Sequence, residues 1–116
     1  MPSMQKKSFA APDETRTPPN MKMEVLAFEK MPVMRVVYAP GWKWSQSIKP
    51  VAGTPSCQVP HFFYVISGNL VIAMDDGEEA EFAPGDVGLV PPGHDGWVLG
   101  DEPCVVLDFQ GASKNI

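Results

Sequence analysis

At 116 residues the chain is expected to form one domain, long enough to bury a core without disulfide or metal staples. Nine basic and fourteen acidic residues give a net charge of −5, and from position 31 onward four basic residues face ten acidic ones; that balance repels nucleic-acid backbones and anionic membrane surfaces and excludes both as partners. No apolar run approaches the ~20 residues that cross a bilayer, and residues 1–20 lack the apolar stretch of a secretory signal. The expected compartment is therefore a reducing cytoplasm, with Cys57 and Cys104 as free thiols rather than a disulfide framework.

In chain order, residues 1–20 carry four Pro, small polar residues and mixed charge with no periodicity. They read as a flexible or extended arm whose Phe9 and Pro18-Pro19 could lie against a neighbouring subunit. Residues 21–116 form the folded domain. Partial alternation over Lys22 to Lys30 suggests a weak strand. Val33 to Ala39 is a better one, rich in β-branched residues and closed by Pro40-Gly41. Trp42 and Trp44 are expected on one face of a strand, and Lys49 to Pro55 as a loop.

Phe62 to Ile66 is continuously apolar, the pattern of a strand covered on both faces. Leu70 to Met74 is expected to return as its antiparallel partner. Asp75-Asp76-Gly77 then supplies a hairpin turn, and Glu78, Glu79 and Glu81 mark a solvated edge. Val87 to Val90 is a short strand, Pro91 to Gly96 is expected to be too irregular for one, and Trp97 to Leu99 resumes it. Gly100 to Pro103 turns the chain into Cys104 to Phe109. Thirteen Pro and ten Gly punctuate these segments, and nothing from Met21 onward has a sustained apolar stripe of helical period. Eight to ten short strands with turns every eight to twelve residues close as a sandwich or barrel.

Two segments carry the only histidines. Thr54 to Gly68 contains Cys57, His61, Tyr64-Val65-Ile66 and Gly68; Pro84 to Trp97 contains Gly85, Pro91, Gly93 and His94. Their punctuation resembles the two cupin motifs. In the first, a metal-ligand Glu precedes Tyr-Val-Leu or similar and then a Gly, and His61, Tyr64-Val65-Ile66 and Gly68 keep that spacing. In the second, Gly85, Pro91 and Gly93 sit in place. The resemblance implies an all-β, double-stranded β-helix (jelly-roll) cupin barrel, and a homodimer. The ligand positions depart from the family: His61 stands at the usual Glu, Cys57 at one His and Pro55 at another, Gly96 at the His of the second motif, and His94 two residues before it.

Along an unbroken strand Cys57 and His61 would lie about 13 Å apart, so a shared ion requires a bend at Ser56 to Pro60. With that bend, Cys57 as thiolate, His61 and His94 give three donors and an open position, the pattern of a catalytic zinc site. Sulfur favours zinc over iron or manganese, with iron, manganese and nickel left open. Phe63, Trp42, Trp44 and Trp97 are expected to line a pocket for a small-molecule ligand or substrate. Asp108 is weighed as an inward carboxylate but expected on the solvent side of an edge strand, and Tyr64, opposite in parity to His61, is expected to point away from the pocket. Three readings follow: a cupin with one divalent metal that binds or acts on a small molecule; a metal-free, non-catalytic ligand-binding or regulatory cupin; or an interaction protein whose barrel is a dimerisation platform for its N-terminal arm. Whether the chain is an enzyme stays open among them.

Overall fold

A computed structural model describes residues 3–110. Nine strands, β1 (Glu14–Arg16), β2 (Met21–Leu26), β3 (Val33–Tyr38), β4 (His61–Ser67), β5 (Asn69–Met74), β6 (Glu79–Phe82), β7 (Val87–Val90), β8 (His94–Leu99) and β9 (Cys104–Asp108), and two single-turn helices, α1 (Trp44–Ser47) and α2 (Lys49–Ala52), make up its described elements. The strands form two antiparallel sheets, a six-stranded one ordered β1-β2-β3-β9-β4-β7 and a three-stranded one ordered β6-β5-β8. Their inner faces enclose one apolar core that includes Met23, Met34, Val36, Val65, Leu70, Ile72 and Val106. The closed all-β structure expected from the strand spacing, and the jelly-roll barrel that the motif resemblance implied, is the fold. Among the described residues, no helix is long and apolar enough to cross a membrane.

Several local expectations are corrected. Leu70 to Met74 does not pair with the strand before it: β5 pairs with β6 and β8, while β4 pairs with β7 and β9. The turn at Gly68, with φ +76°, carries the chain from one sheet into the other instead of folding it back. Asp75 to Gly77 does close a hairpin, joining β5 to β6. The strand β8 begins at His94, earlier than expected, because Met74 and Ala73 of β5 pair with His94 and Asp95, and Cys57 bridges to His94, giving partners to a segment that has no strand signal of its own. Trp44 opens a helical turn rather than continuing a strand, and Lys49–Ala52 is a second turn, ended by Gly53 at φ 72°; single turns are too short to show a helical period.

The strand β4 is not covered on both faces. Phe63 and Val65 are buried, but Phe62, Tyr64 and Ile66 stand exposed beside Val87, Leu89 and Phe109. A strand that faces core on one side and carries large apolar residues on the other reads the same in sequence as a strand buried twice. The segment before β1 folds over its own sheet: Phe9 lies 4.9 Å from the Arg35 guanidinium, and the Asp13 N–H donates to the Val25 carbonyl at 2.9 Å. β1 then pairs with β2.

Two glycines are fixed by close approach. A side chain at Gly88 would drive a Cβ to within 2.6 Å of the Phe63 ring, which packs edge-on against Phe82 at 5.1 Å. At Gly68 a Cβ would lie 2.2 Å from the Pro103 carbonyl oxygen, and φ is in the left-handed region. Backbone cannot retreat as a side chain can. The Gly68→Ala variant should therefore lose roughly 2–4 kcal/mol of stability, strain and overpacking together. Denaturant melts of the two proteins check this, and a variant of native stability would refute the close packing at the sheet-to-sheet turn.

Candidate functional site

The site is built where one short segment passes between the two sheets. Cys57 is tied to the three-stranded sheet: its N–H donates to the His94 carbonyl and its carbonyl accepts from Gly93 N–H, each at 2.7 Å. Four residues later His61 opens β4 in the six-stranded sheet, paired with Val90. Crossing from one sheet to the other supplies the bend that an extended strand lacks. The crossing is held in place by the β5–β6 turn, where the Ser56 hydroxyl donates to Asp75 Oδ2 at 2.7 Å and the Asp75 N–H donates to the Gly93 carbonyl at 2.9 Å.

As a result Cys57 Sγ lies 3.9 Å from His61 Nε2, and one donor atom from each of Cys57, His61 and His94 falls within 4.8 Å of the others. His94 is buried and its ring meets that of His61 edge-on at 5.3 Å between centroids. On β8 the residues His94, Gly96 and Val98 alternate inward. His94 therefore keeps the inward face although it stands two residues before the family's ligand position. Gly96, at that position, lines the cavity, and a Cβ there would lie 3.0 Å from Ile72 Cδ1 and 3.8 Å from the Trp42 ring. The indole and Ile72 fill the space that a side chain at Gly96 would need.

Asp108 corrects the expectation that it faces solvent. It is 1% exposed, and its Oδ2 accepts from His61 Nδ1 at 2.5 Å. The strand β9 lies inside the sheet between β3 and β4, and Cys104, Val106 and Asp108 face the core. Phe63 is the direct cross-strand neighbour of Asp108, which leaves His61 on the diagonal, within reach of a carboxylate. Sequence could not settle this parity, since Val105 and Leu107 are as apolar as Cys104 and Val106.

Both imidazoles thus have one nitrogen committed. A carbonyl oxygen can only accept, so His94 Nδ1, 3.0 Å from the Pro91 carbonyl, carries the proton, and a neutral His94 offers Nε2. For His61 the carboxylate of Asp108 fixes Nδ1–H and turns Nε2 toward Cys57. Burial opposes charge on both Cys57 and His61, yet their mutual contact outweighs it. Contact with His61 and His94 lowers the Cys57 thiol to about 6, and Asp108 with the Cys57 sulfur raises the His61 imidazolium to about 9. Cys104 behaves oppositely: burial alone pushes it up to about 11, as befits an inert core thiol.

The cavity around these groups is about 40 Å³. Trp42, Trp44 and Phe63 line it, as expected from the sequence, together with Tyr38 and Ile48. Trp97 does not: it faces the other side of β8, with the Lys43 ammonium 5.2 Å from its ring. Tyr64 points away, 41% exposed. The segment carrying Trp42 and Trp44 is pinned to β8 by Val98 N–H donating to the Trp42 carbonyl at 3.0 Å and Ser45 N–H donating to Asp95 at 3.1 Å. A second pocket of about 130 Å³ shares Trp44, Ile48 and Cys57 with the cavity and is walled by Ala52, Thr54, Gln58 and Val59. It adjoins the donor cluster on the side of α1 and α2.

The donor set fits a divalent ion. Bonds of 2.0–2.3 Å in a tetrahedron place one sulfur and two nitrogens about 3.3–3.6 Å apart, so the three atoms, all within 4.8 Å of one another, stand within about 1.5 Å of that arrangement. Each imidazole already has the second partner that metal-bound histidines require, a carboxylate for His61 and a carbonyl for His94.

Comparison with known proteins agrees with this architecture. The family described as Cupin domain matches residues 35–110. Among solved structures, a Rhizobium leguminosarum protein of unknown function is 19% identical, with TM-score 0.68 over 93% of this chain and 96% of that one. The polyketide cyclase RemF from Streptomyces resistomycificus is 17% identical, with TM-score 0.65 over 93% and 79%. KdgF from Halomonas sp. is 20% identical, with TM-score 0.60 over 84% and 86%. No curated protein sequence matches the chain significantly.

In metal-free protein the sign of the proton linkage is set by the two shifts. The raised His61 value contributes stability that is full below about 6.5 and lost as pH rises through about 9. The lowered Cys57 value contributes stability that is full above about 9 and lost as pH falls through about 6. Between those limits the two slopes oppose each other, because folded and unfolded chains hold the same number of protons on the pair, so this pair should leave stability nearly flat in that window. Thiolate absorbance should titrate with a midpoint near 6 and move upward in an Asp108→Asn variant, whose His61 is a poorer cation. A midpoint at the ordinary thiol value in the unmutated protein would exclude the coupled pair.

Proposed function

The chain belongs to the cupin domain family, and from that membership and the donor geometry we propose that it is a small metal-binding cupin. It holds one divalent ion, zinc by preference, on Cys57, His61 and His94, and binds or transforms a small molecule in the cavity beside it. The observation that carries this reading is the convergence of three donor atoms within 4.8 Å, with the remaining nitrogen of each imidazole already hydrogen-bonded. Three protein ligands leave a position for an exogenous one. A zinc ion held there supplies Lewis acidity, lowering the pKa of a coordinated water or polarising a ligand oxygen. Cys57 contributes the thiolate that selects zinc over harder ions. Asp108 holds the His61 ring in one tautomer and increases its basicity. The apolar walls keep water from competing for the ligands.

Metal analysis of protein purified without chelator should find near-stoichiometric zinc, lost in Cys57→Ala and His61→Ala. The Asp108→Asn variant should keep the ligands but bind zinc about 10- to 100-fold more weakly. Metal-free protein of unchanged stability would remove this reading. Because His61 holds its proton up to about 9, zinc must displace one proton between about 6 and 9, and both the His61 and Cys57 protons below about 6. Zinc affinity should then fall about tenfold per pH unit across the first range and more steeply below it. Isothermal titration at stepped pH reads the slope; a pH-independent affinity would exclude ligation by His61.

A second reading, a metal-free ligand-binding or regulatory cupin, is favoured by one observation. Cys57 and Asp108 both contact the His61 ring, so a thiolate and a carboxylate share one imidazolium and each side chain has a partner without an ion. Absence of metal in the purified protein would select it. Under either reading the chain pairs with a second copy through the outer face of β4 and β7, where Phe62, Tyr64, Ile66, Val87 and Leu89 leave a contiguous apolar surface. Light scattering should show a dimer that Leu89→Glu converts to monomer; a monomeric unmutated protein refutes the pairing.

A further inference from the structure

Two hydrogen-bond donors inside the barrel have nothing to donate to. The indole Nε1–H groups of Trp42 and Trp44 are buried without a partner, on side chains 5% and 4% exposed. Both residues line the cavity that holds Cys57, His61 and His94. Buried N–H groups are nearly always paired, because a donor that gives up water recovers the loss only from an acceptor. Indole can donate but not accept, so the missing partner carries a lone pair. The one carboxylate in the wall is committed elsewhere: Asp108 Oδ2 accepts from His61 and Oδ1 from the Gln110 N–H at 3.0 Å.

We infer that the ligand of this cavity carries an acceptor oxygen, as a carboxylate or a carbonyl on a body of few heavy atoms, and that Trp42 and Trp44 are the donors that select it. The inference rests on the reading of the cavity as a ligand site, but the two donors act on the ligand whether or not an ion is bound. Size agrees with a small molecule: drug-sized ligands occupy roughly 300–1,000 Å³, whereas this cavity is about 40 Å³. The remainder of a longer ligand would extend into the adjoining pocket of about 130 Å³, which Trp44 also lines. Chemistry agrees as well. Much of the wall is apolar, including Met21, Leu70, Ile72 and Val106, so the cavity takes an oxygen at the indoles and a methyl or methylene against these side chains. The donors are preorganised, since the segment that carries them is fastened to β8 on both sides of Lys43.

The three tryptophans make the test direct. Proton–nitrogen correlation spectra of the full chain resolve each indole N–H, with Trp97, outside the cavity, as internal control. Zinc-free and zinc-loaded samples are titrated with acetate and, in a separate arm, with acetamide. The expected result is a saturable downfield shift of the Trp42 and Trp44 indoles with Trp97 unmoved, and an affinity about tenfold or more weaker in Trp42→Phe and in Trp44→Phe. Tighter acetate binding assigns a carboxylate; equal or tighter acetamide binding assigns a neutral carbonyl; both uphold the inference. No saturable shift of either indole in either sample overturns it, even in protein that binds zinc stoichiometrically. Saturable shifts in protein that binds no zinc uphold it and remove the ion. Affinity unchanged in both Trp→Phe variants also overturns it, while the indole shifts themselves are read on the unmutated protein and need no variant to fold.

Discussion

The contact on which the rest of the site depends is the buried hydrogen bond between His61 and Asp108. A carboxylate inside an apolar barrel is costly unless its charge is matched and its lone pairs are used. His61 matches the charge, and the Gln110 N–H uses a further lone pair. In return Asp108 fixes which imidazole nitrogen is free and aims it at Cys57. Remove the carboxylate and the tautomer, the ring orientation and the charge on the neighbouring sulfur all lose their cause. The core packing would survive such a change, but the chemistry of the site would not.

The second constraint is the passage between sheets. Cys57 is fastened to β8 and His61 begins β4, and only Gln58, Val59 and Pro60 separate them. The segment is too short to wander, so pairing at its two ends determines how close the sulfur and the imidazole come. Because β8 and β4 belong to opposite sheets, their separation is set by the thickness of the barrel, which the apolar core fills. Packing in the core and the distance between the Cys57 and His61 side chains are in this way one quantity. Gly88 and Gly68 serve the same geometry. One lets the Phe63 ring come close against β7, and the other lets β4 end close against Pro103 so that the chain can change sheets.

A donor set of one thiolate and two imidazoles, within an apolar wall bearing two unpaired indole N–H groups, differs in character from a wet carboxylate site. It combines a soft, electron-rich anchor with a dry surrounding, where each polar contact counts for more than it would in water. Small size follows from the same packing: Trp42 and Ile72 occupy the volume around Gly96, so the aromatic rings shape the cavity as well as offering donors to it.

Sequence by itself determined the fold class, because turn residues and short apolar runs recur at intervals that only a closed β-structure accommodates. It also determined which side chains could carry chemistry, since there are two histidines and one thiol near them in the chain. Local pattern left three matters open: whether β5 pairs with β4 or crosses to the other sheet, which face of β4 is bare, and which way Asp108 points. Each depends on what lies beside a strand rather than on what lies within it. Val105, Val106 and Leu107 are equally apolar, so parity on β9 was set only when β3 and β4 closed on either side of it, and that tertiary closure made a carboxylate at the end of an apolar strand the partner of His61.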